Sequence, residues 1–173
     1  FMSLFCLFIY CPLAHWTWHP DGFLNQWGVL DFAGGAVVHI SAGFASLAGA
    51  RFLGKRKSNH LKSYNTSYVL LGTGMLWFGW FGFNSGSALG ANKDAVLAFA
   101  TTNTASAMCM ITWLVMEGLK GNKLKAVDAC IGAVVGLVVI TPAAGFVNIS
   151  KSMFMGFIGV FICNLFLDFF KRF

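Results

Sequence analysis

This sequence contains unusually few charged residues. Only 10% of the 173 residues are Asp, Glu, Lys or Arg, and 57% are hydrophobic. A soluble globular domain carries about 25% charged residues. So few charges cannot cover a surface that faces water on all sides. The composition therefore excludes an ordinary water-soluble domain and indicates a protein that lies in a lipid bilayer.

Patterns typical of disulfide, metal and cofactor sites are also lacking. The five cysteines lie in or beside apolar runs, with no close pair and no metal-type spacing, so we expect free thiols packed as small hydrophobic side chains. One aspartate and one histidine in an apolar run do not make a metal site, and the other three histidines lie in loops. Gly34-Gly35 lacks the strand context of a phosphate-binding loop. We expect no metal and no cofactor.

Six apolar segments alternate with short polar stretches, and each is a candidate membrane span. A helical crossing needs about 20 apolar residues. The first segment is too short to cross and has no basic region before it and no cleavage signal after it, so it reads as a span with its beginning cut away. The predicted spans are approximately residues 1–13, 31–53, 67–89, 95–119, 126–140 and 152–170. We therefore predict one all-α membrane domain, a polytopic bundle of transmembrane helices.

Basic residues predict the orientation of these spans. If each span crosses once, ten of the twelve Lys and Arg residues fall on one side, and only Lys93 and Lys151 fall on the other. Positively charged loops favour the cytoplasm. The loops 54–63 and 120–125 are therefore predicted to be cytoplasmic. The net charge of +6 is spread over short loops rather than one face, which argues against binding to nucleic acid.

Two ionisable residues mark the second predicted span, with Asp31 at its start and His39 within it. Ionisable groups at membrane depth are costly and need partners or a function. Eight residues of ideal α-helix give about 80° of rotation and roughly 12 Å of rise, so both side chains could face one cavity. The alternative for Asp31 is a helix N-cap. The alternative for His39 is a neutral imidazole bonded to a neighbouring helix.

The third predicted span has an aromatic face. Trp80, Phe83 and Ser87 stand at i, i+3 and i+7, which is one side of a helix. For the two rings, a pore gate competes with ordinary packing, and Asn84 is expected to bond to a neighbouring helix. A second stripe of this span consists of glycines, which predict close approach of another helix: Gly72, Gly79, Gly82 and Gly86.

Three features lie outside this span, and the first of them has both a structural and a functional interpretation. Trp18, in a tryptophan-rich polar loop, is either an interface anchor or a cation–π wall at an entrance. Thr141-Pro142 most simply ends the fifth span. Gly132 and Gly136 in that span repeat the four-residue glycine spacing and again predict close helix contact.

Several of these stretches together resemble a known family. DFAGGAVVH at residues 31–39 is similar to a signature of the ammonium transporter family, in its Amt/Mep branch. Three further stretches agree in the family's order, namely AHWTW at 14–18, FGWFGFNSGS at 78–87 and GLVVITPAAGF at 136–146. The resemblance covers essentially the whole chain.

The resemblance implies a fold and a set of site residues. Family members have eleven spans, built as inverted repeats, and form trimers with one pore in each subunit. This chain would be about spans four to nine. Trp18 and Ser87 would form an outer ammonium site, with Asp31 close by. The residues at the pore would be His39, Phe83 and Trp80. The family's second pore histidine and second gate phenylalanine lie outside this sequence.

The predicted function is transport of ammonium through a multi-pass protein of the plasma membrane. Ammonium would be recruited at the outer site and deprotonated, and ammonia and a proton would pass along the pore. The expected partners are ammonium or ammonia, with methylammonium as an analogue, the lipid bilayer, and two further copies in a homotrimer. The alternatives are an ammonium sensor, an inactive truncated fragment, and an intramembrane enzyme using Asp31 and His39. For the enzyme alternative, the sequence shows no third group at a catalytic spacing from Asp31 and His39, so we do not expect enzymatic activity.

Overall fold

The computed structural model describes residues 1–55 and 65–170, and every regular element within them is helical. Most of the predicted basic loop 54–63 lies outside the described residues, as do Lys171 and Arg172. Where an element starts or stops is set by a few local features, chiefly prolines, glycines and capping side chains.

The first helical segment continues past its predicted end at residue 13. Pro12 lacks an N–H and its ring crowds the carbonyl four residues earlier, so it disturbs a helix. Here it widens the helix instead of ending it, and the Cys11 N–H bonds to the carbonyl of Cys6, five residues back. The segment consists of α1 (Met2–Phe5), a π-helical turn (Cys6–Tyr10) and α2 (Cys11–Trp18), and the short α3 (Phe23–Gln26) follows.

The second helix begins at Gly35, four residues later than predicted. A π-helical turn (Gly35–Ile40) runs directly into α4 (Ser41–Leu53). Residues 31–34 are not helical, and Gly34 has a φ of 93°, a left-handed conformation that suits glycine. The estimate of rotation and rise between Asp31 and His39 assumed an α-helix from residue 31. It is wrong because the helix starts later and its first turn is wider.

Four longer helices form the packed part of the molecule. They are α5 (Thr66–Gly86), α6 (Lys93–Leu119), α7 (Ala126–Ile140) and α8 (Ile149–Phe170). The side chains of Asn65 and Asn92 cap α5 and α6 by accepting backbone N–H groups. Helix α6 packs against all three of the others and lies at the centre of the group.

Glycines on α7 let it approach α6 closely, as predicted. A Cβ atom added at Gly136 would lie 2.6 Å from the Cα of Ser106, and one at Gly132 would lie 2.7 Å from the Cβ of Trp113. The α5 stripe behaves differently, and there the prediction is wrong for the described chain. The stripe consists of Gly72, Gly79, Gly82 and Gly86. Among the described residues, no atom of another helix lies within 4 Å of a Cβ built at any of these four positions, because α6 and α7 contact other sides of α5.

Small polar side chains join the packed helices. The amide of Asn84 donates to the hydroxyl of Thr102 at 2.9 Å, which confirms the predicted bond to a neighbouring helix. Such bonds join helices in apolar surroundings, where water offers no alternative partner. Other bonds of this kind run from Thr101 to the carbonyl of Ala144 at 2.7 Å and from Ser106 to the carbonyl of Ala133 at 2.8 Å.

Three helices within the described residues are long and apolar enough to cross a membrane, namely Gly35–Leu53, Lys93–Leu119 and Ile149–Phe170. Helix α7 is apolar but has only 15 residues. Helix α5 has 21 residues, but glycines, tryptophans and Asn84 lower its mean hydropathy. The count of six spans stays a prediction.

All five cysteines are free, as predicted. The expected packing as small hydrophobic side chains does not hold for Cys6 and Cys11, which are both exposed in the described chain. The Sγ atoms of Cys6 and Cys11 are 4.0 Å apart, because the π-helical turn brings residues five positions apart onto one side of the helix.

Candidate functional site

The Asp31 side chain caps the second helix from inside the protein. One carboxylate oxygen accepts the N–H groups of Gly34 at 3.1 Å and Gly35 at 2.6 Å, and the other accepts those of Ala36 at 2.9 Å and Val37 at 3.2 Å. Asp31 is only 7% exposed. A carboxylate offers about four lone-pair positions, and all four are used here. The predicted capping by the Asp31 carboxylate is therefore confirmed, although the N-cap position itself is Gly34.

The backbone of Asp31 holds the predicted outer tryptophan. The indole N–H of Trp18 donates to the carbonyl of Asp31 at 2.8 Å. The Trp18 ring also lies beside Gly34, since a Cβ there would be 3.5 Å from the ring. About 41% of Trp18 remains exposed. One residue thus places both the helix start and the indole.

The glycine-rich segment that contains Asp31 docks onto the chain turn after α7. The Phe32 N–H donates to the carbonyl of Pro142 at 3.0 Å, and the Phe32 ring meets Phe146 edge-on at 5.3 Å. A Cβ at Gly35 would lie 2.5 Å from the Pro142 ring, so this close approach requires glycine. Two of the sequence motifs therefore meet in space.

Three of the predicted pore residues form one aromatic group. The His39 ring stacks on Trp80, with centroids 5.2 Å apart and planes 19° apart, and it lies 5.9 Å from Phe83. The Trp80 and Phe83 centroids are 5.5 Å apart, so their shared helix face is confirmed. The Nε2 atom of His39 is buried and has no hydrogen-bond partner among the described residues.

Thr141 is a residue of this site that the sequence analysis missed, because it was taken only as the end of a span. Its hydroxyl accepts the Trp80 indole N–H at 2.9 Å and donates to the carbonyl of Leu137 at 2.8 Å. Thr141 is fully buried. A buried tryptophan N–H needs an acceptor. The hydroxyl of Thr141, at the end of an apolar helix, was the feature of the sequence that could have indicated such an acceptor for Trp80.

Ser87 joins the aromatic group only through the backbone. Its hydroxyl donates to the carbonyl of Phe83 at 2.9 Å, one turn earlier in α5. Within residues 1–55 and 65–170, no hydrogen bond or ring contact links Trp18 to Ser87. The structure thus shows one pair, Trp18 with Asp31, and one group around His39. The same residues contain no cluster of three or more metal-ligating side chains.

A model of the Ammonium Transporter Family matches residues 1–173. The chain belongs to the ammonium transporter family. The resemblance found in the sequence is confirmed, and with its apolar helices the family identifies an integral membrane protein.

Curated members of the ammonium transporter family are similar along nearly the whole chain. The ammonium transporter of Aquifex aeolicus is 50% identical over 167 residues, which are 96% of this chain and 39% of that protein. Ammonium transporter 1 of Schizosaccharomyces pombe is 45% identical over 166 residues, 94% of this chain and 33% of that protein. The chain therefore spans about two fifths or less of the length of these relatives.

Solved structures of the ammonium transporter family share the fold. The crystal structure of Candida albicans Mep2 aligns with a TM-score of 0.86 and 42% identity, over 94% of this chain and 37% of that one. A structure of a Sensor Amt Protein aligns with a TM-score of 0.81 and 32% identity, over 92% and 43% of the two chains. The predicted fold class, an all-α membrane helix bundle, is confirmed.

Proposed function

We propose that this chain supplies the outer ammonium site and the upper pore of an ammonium transporter. The observation that carries the proposal is the aromatic group, in which His39 stacks on Trp80 beside Phe83 and its buried Nε2 has no partner in the part of the chain that the structure describes. A neutral ring nitrogen between aromatic faces suits a guest that is both a hydrogen-bond donor and a base. Family membership makes ammonium the substrate to test.

Recruitment would use Trp18 and Ser87. The exposed indole face of Trp18 attracts a cation. The Ser87 hydroxyl gives its hydrogen to the Phe83 carbonyl, so its oxygen keeps lone pairs that an ammonium N–H can use. Ammonium can donate hydrogen bonds, whereas potassium, a cation of similar size, cannot.

Asp31 would act as a positioning residue in this scheme. Its two carboxylate oxygens are already occupied by four backbone N–H groups, so they offer no free acceptor to a guest. Its negative charge still favours a cation at the entrance. Its main contribution would be to hold Trp18 and the start of the second helix in place.

Passage beyond Phe83 would separate the proton from ammonia. Moving an unpaired charge into an apolar pore is costly, whereas neutral ammonia crosses easily. The Nε2 atom of His39 would exchange hydrogen bonds with ammonia and relay the proton. Potassium has no proton to give up, so the same pore would exclude it.

The decisive test is uptake of labelled methylammonium into cells that lack their own ammonium carriers. They would express the complete reading frame that contains this chain. We expect uptake that ammonium competes and potassium does not. His39→Ala should lower it roughly 100-fold or more, the scale of a removed acid–base group. Asp31→Ala should abolish it, because the loss of the four carboxylate bonds releases the segment whose backbone carbonyl holds Trp18. His15→Ala, which removes an imidazole outside the aromatic group, is the matched control.

Normal uptake by a well-expressed His39→Ala variant would overturn the proposed pore. The second candidate is an ammonium sensor, which the similarity to the Sensor Amt Protein keeps open. Ammonium binding without uptake, despite protein at the cell surface, would favour it. Running the 173-residue chain alongside the complete frame tests whether the chain alone is an inactive fragment.

The proposal also covers the type of activity, the oligomeric state and the membrane orientation. We propose transport rather than catalysis, because the chain belongs to a family of transporters. We also propose a homotrimer in the plasma membrane, with loops 54–63 and 120–125 in the cytoplasm. These follow from the family resemblance and from the distribution of Lys and Arg.

A further inference from the structure

Two cysteines form a pair that the proposed transport path does not use. The Sγ atoms of Cys6 and Cys11 are 4.0 Å apart, and both side chains are exposed in the described chain. The other thiols differ in their surroundings. Cys109 and Cys130 are buried, and Cys163 is half-buried.

The pair exists because of the π-helical turn between its members. In an α-helix, residues five apart point about 140° away from each other, so their sulfur atoms could not meet. Pro12 disrupts the regular bonding, and the Cys11 N–H reaches back to the Cys6 carbonyl. Single π-helical turns inside α-helices are rare and are frequent at functional sites.

We propose that Cys6 and Cys11 form a two-thiolate site for a soft divalent metal ion. A two-coordinate ion with bonds of about 2.3 Å holds its two sulfur atoms in line, roughly 4.6 Å apart. The observed separation of 4.0 Å is close enough for rotation of the two exposed side chains to reach that value. Thiolates select soft metals. Zinc requires four ligands, and the described residues offer no cluster of three or more. The described residues thus offer two sulfur ligands, which suffice for a two-coordinate ion such as Hg(II).

The charge balance favours a divalent ion at this position. Each S–H bond breaks, two protons leave to water, and two metal–sulfur bonds form without electron transfer. Two thiolates and one divalent cation make a neutral complex. A monovalent ion would leave one negative charge on an apolar helix, which is costly.

Cys11 lies seven residues before Trp18, the side chain proposed to bind ammonium at the outer site.

The test is a titration of the complete protein, in lipid nanodiscs, with Hg(II). Remaining thiols are counted with a chromogenic reagent, and the sulfur-to-mercury absorbance band is followed. We expect the first equivalent to consume two thiols per chain. Cys6→Ser and Cys11→Ser should each remove this two-thiol step and lower the affinity by roughly 100-fold or more, because the second thiol acts at a millimolar effective concentration. Cys130→Ala, which removes a buried thiol, is the matched control.

Pro12→Ala separates the geometry from the thiols. It restores the missing N–H and should return the turn to a regular α-helix, with both cysteines present but apart. We expect its first equivalent to consume one thiol. An unchanged two-thiol step in Pro12→Ala would overturn the geometric argument, and an unchanged step in Cys6→Ser would overturn the site itself.

Discussion

Asp31 shows how one residue can make a helix start tolerable in apolar surroundings. Four N–H groups at the start of the second helix have no carbonyl partner within the helix. Unpaired donors of this kind are expensive where water is absent. The Asp31 carboxylate accepts all four, and its own carbonyl receives the Trp18 indole. The same residue therefore satisfies the backbone and sets the geometry of the proposed outer site.

A residue-scale prediction concerns Thr141, which holds the Trp80 indole. Thr141→Val keeps the shape of the side chain but removes the acceptor. The partly buried indole N–H then loses its partner, at a cost of about 1–3 kcal/mol. We expect Trp80 to leave its stacked position on His39 and methylammonium uptake by the complete protein to fall several-fold. Uptake and the tryptophan fluorescence maximum are the measurements.

Thr141→Ser is the control for this prediction, because serine keeps the hydroxyl that Trp80 needs. It should retain most of the uptake. Equal losses in the valine and serine variants would show that the methyl group of Thr141 matters and the hydroxyl does not, which contradicts the assigned role.

At the scale of the helices, close packing of α7 on α6 depends on glycines on the side of α7 that faces α6. Gly136 lies where a Cβ would meet the backbone of Ser106 at 2.6 Å. Backbone cannot yield as a flexible side chain can, so even a methyl group must separate the helices. Gly74 of α5, by contrast, has nothing within 4 Å.

Because of this contrast, we expect a glycine-to-alanine substitution to affect stability differently at the two positions. Gly136→Ala should destabilise the complete protein by about 1–3 kcal/mol through overpacking. Gly74→Ala should leave stability unchanged or raise it by up to about 1 kcal/mol, because alanine favours helix over glycine. Thermal unfolding of purified protein in detergent measures both. Equal melting temperatures for the two variants would contradict the close α6–α7 contact.

A second connection between helices lies where α6 and α8 end. The ammonium group of Lys120 donates to the side chains of Asn164 and Asp168 and, at 3.3 Å, to Glu117. The Asn164 amide in turn donates to Glu117 at 3.1 Å. Burial alone would lower the pKa of Lys120, but its hydrogen bonds to Asp168 and Glu117 outweigh burial and raise that pKa above its usual value.

The raised pKa of Lys120 predicts a dependence on alkaline pH. A lysine whose folded-state pKa is raised stabilises the fold fully below its unfolded pKa, about 10.4, and the contribution disappears as pH rises through the higher folded-state value. The melting temperature of the complete protein should therefore fall above about pH 10. Lys120→Met should be less stable at pH 8 and should show a smaller alkaline fall. A parallel fall in both proteins would contradict the role of Lys120.

At the scale of the whole molecule, two parts of the chain meet in one place. Residues 1–55 contact the packed helices through the docking of Phe32 and Gly35 on Pro142 and through the stacking of His39 on Trp80. The proposed outer site and pore therefore lie where the two parts join. A site at such a junction depends on the correct relative placement of distant segments.

The membrane orientation gives a prediction at this scale. Lys123 lies in the loop predicted to be cytoplasmic, and Lys151 is predicted to lie on the other side of the membrane. In intact cells that express the complete frame, Lys151→Cys should react with a membrane-impermeant maleimide, whereas Lys123→Cys should react only after permeabilisation. Protein without either substitution sets the background from native thiols. Labelling of both positions in intact cells would contradict the proposed orientation.

Sequence reasoning worked best where a pattern is local. Helix α7 was expected at 126–140, and α7 is Ala126–Ile140, because both of its ends carry local signals, a capping Asp128 and Thr141-Pro142. It failed where a side chain outside the helix sets the residue at which the helix begins. The start of the second helix was misplaced, since the bonds from Asp31 to four amides do not show in an apolar pattern. The α5 glycine stripe was assigned a neighbour that the described residues do not contain.

Composition, apolar runs and short ordered signatures are enough to show that the chain belongs in a membrane, that it is helical, and which residues carry the family's motifs. The three-dimensional structure is needed to show that Thr141 holds Trp80, that the Asp31 carboxylate is fully occupied, and that Cys6 lies beside Cys11. The physical reason is that hydrogen-bond partners and sulfur distances depend on where backbones lie. A proline-widened turn or a docked loop moves those backbones by several ångströms without altering hydrophobic periodicity.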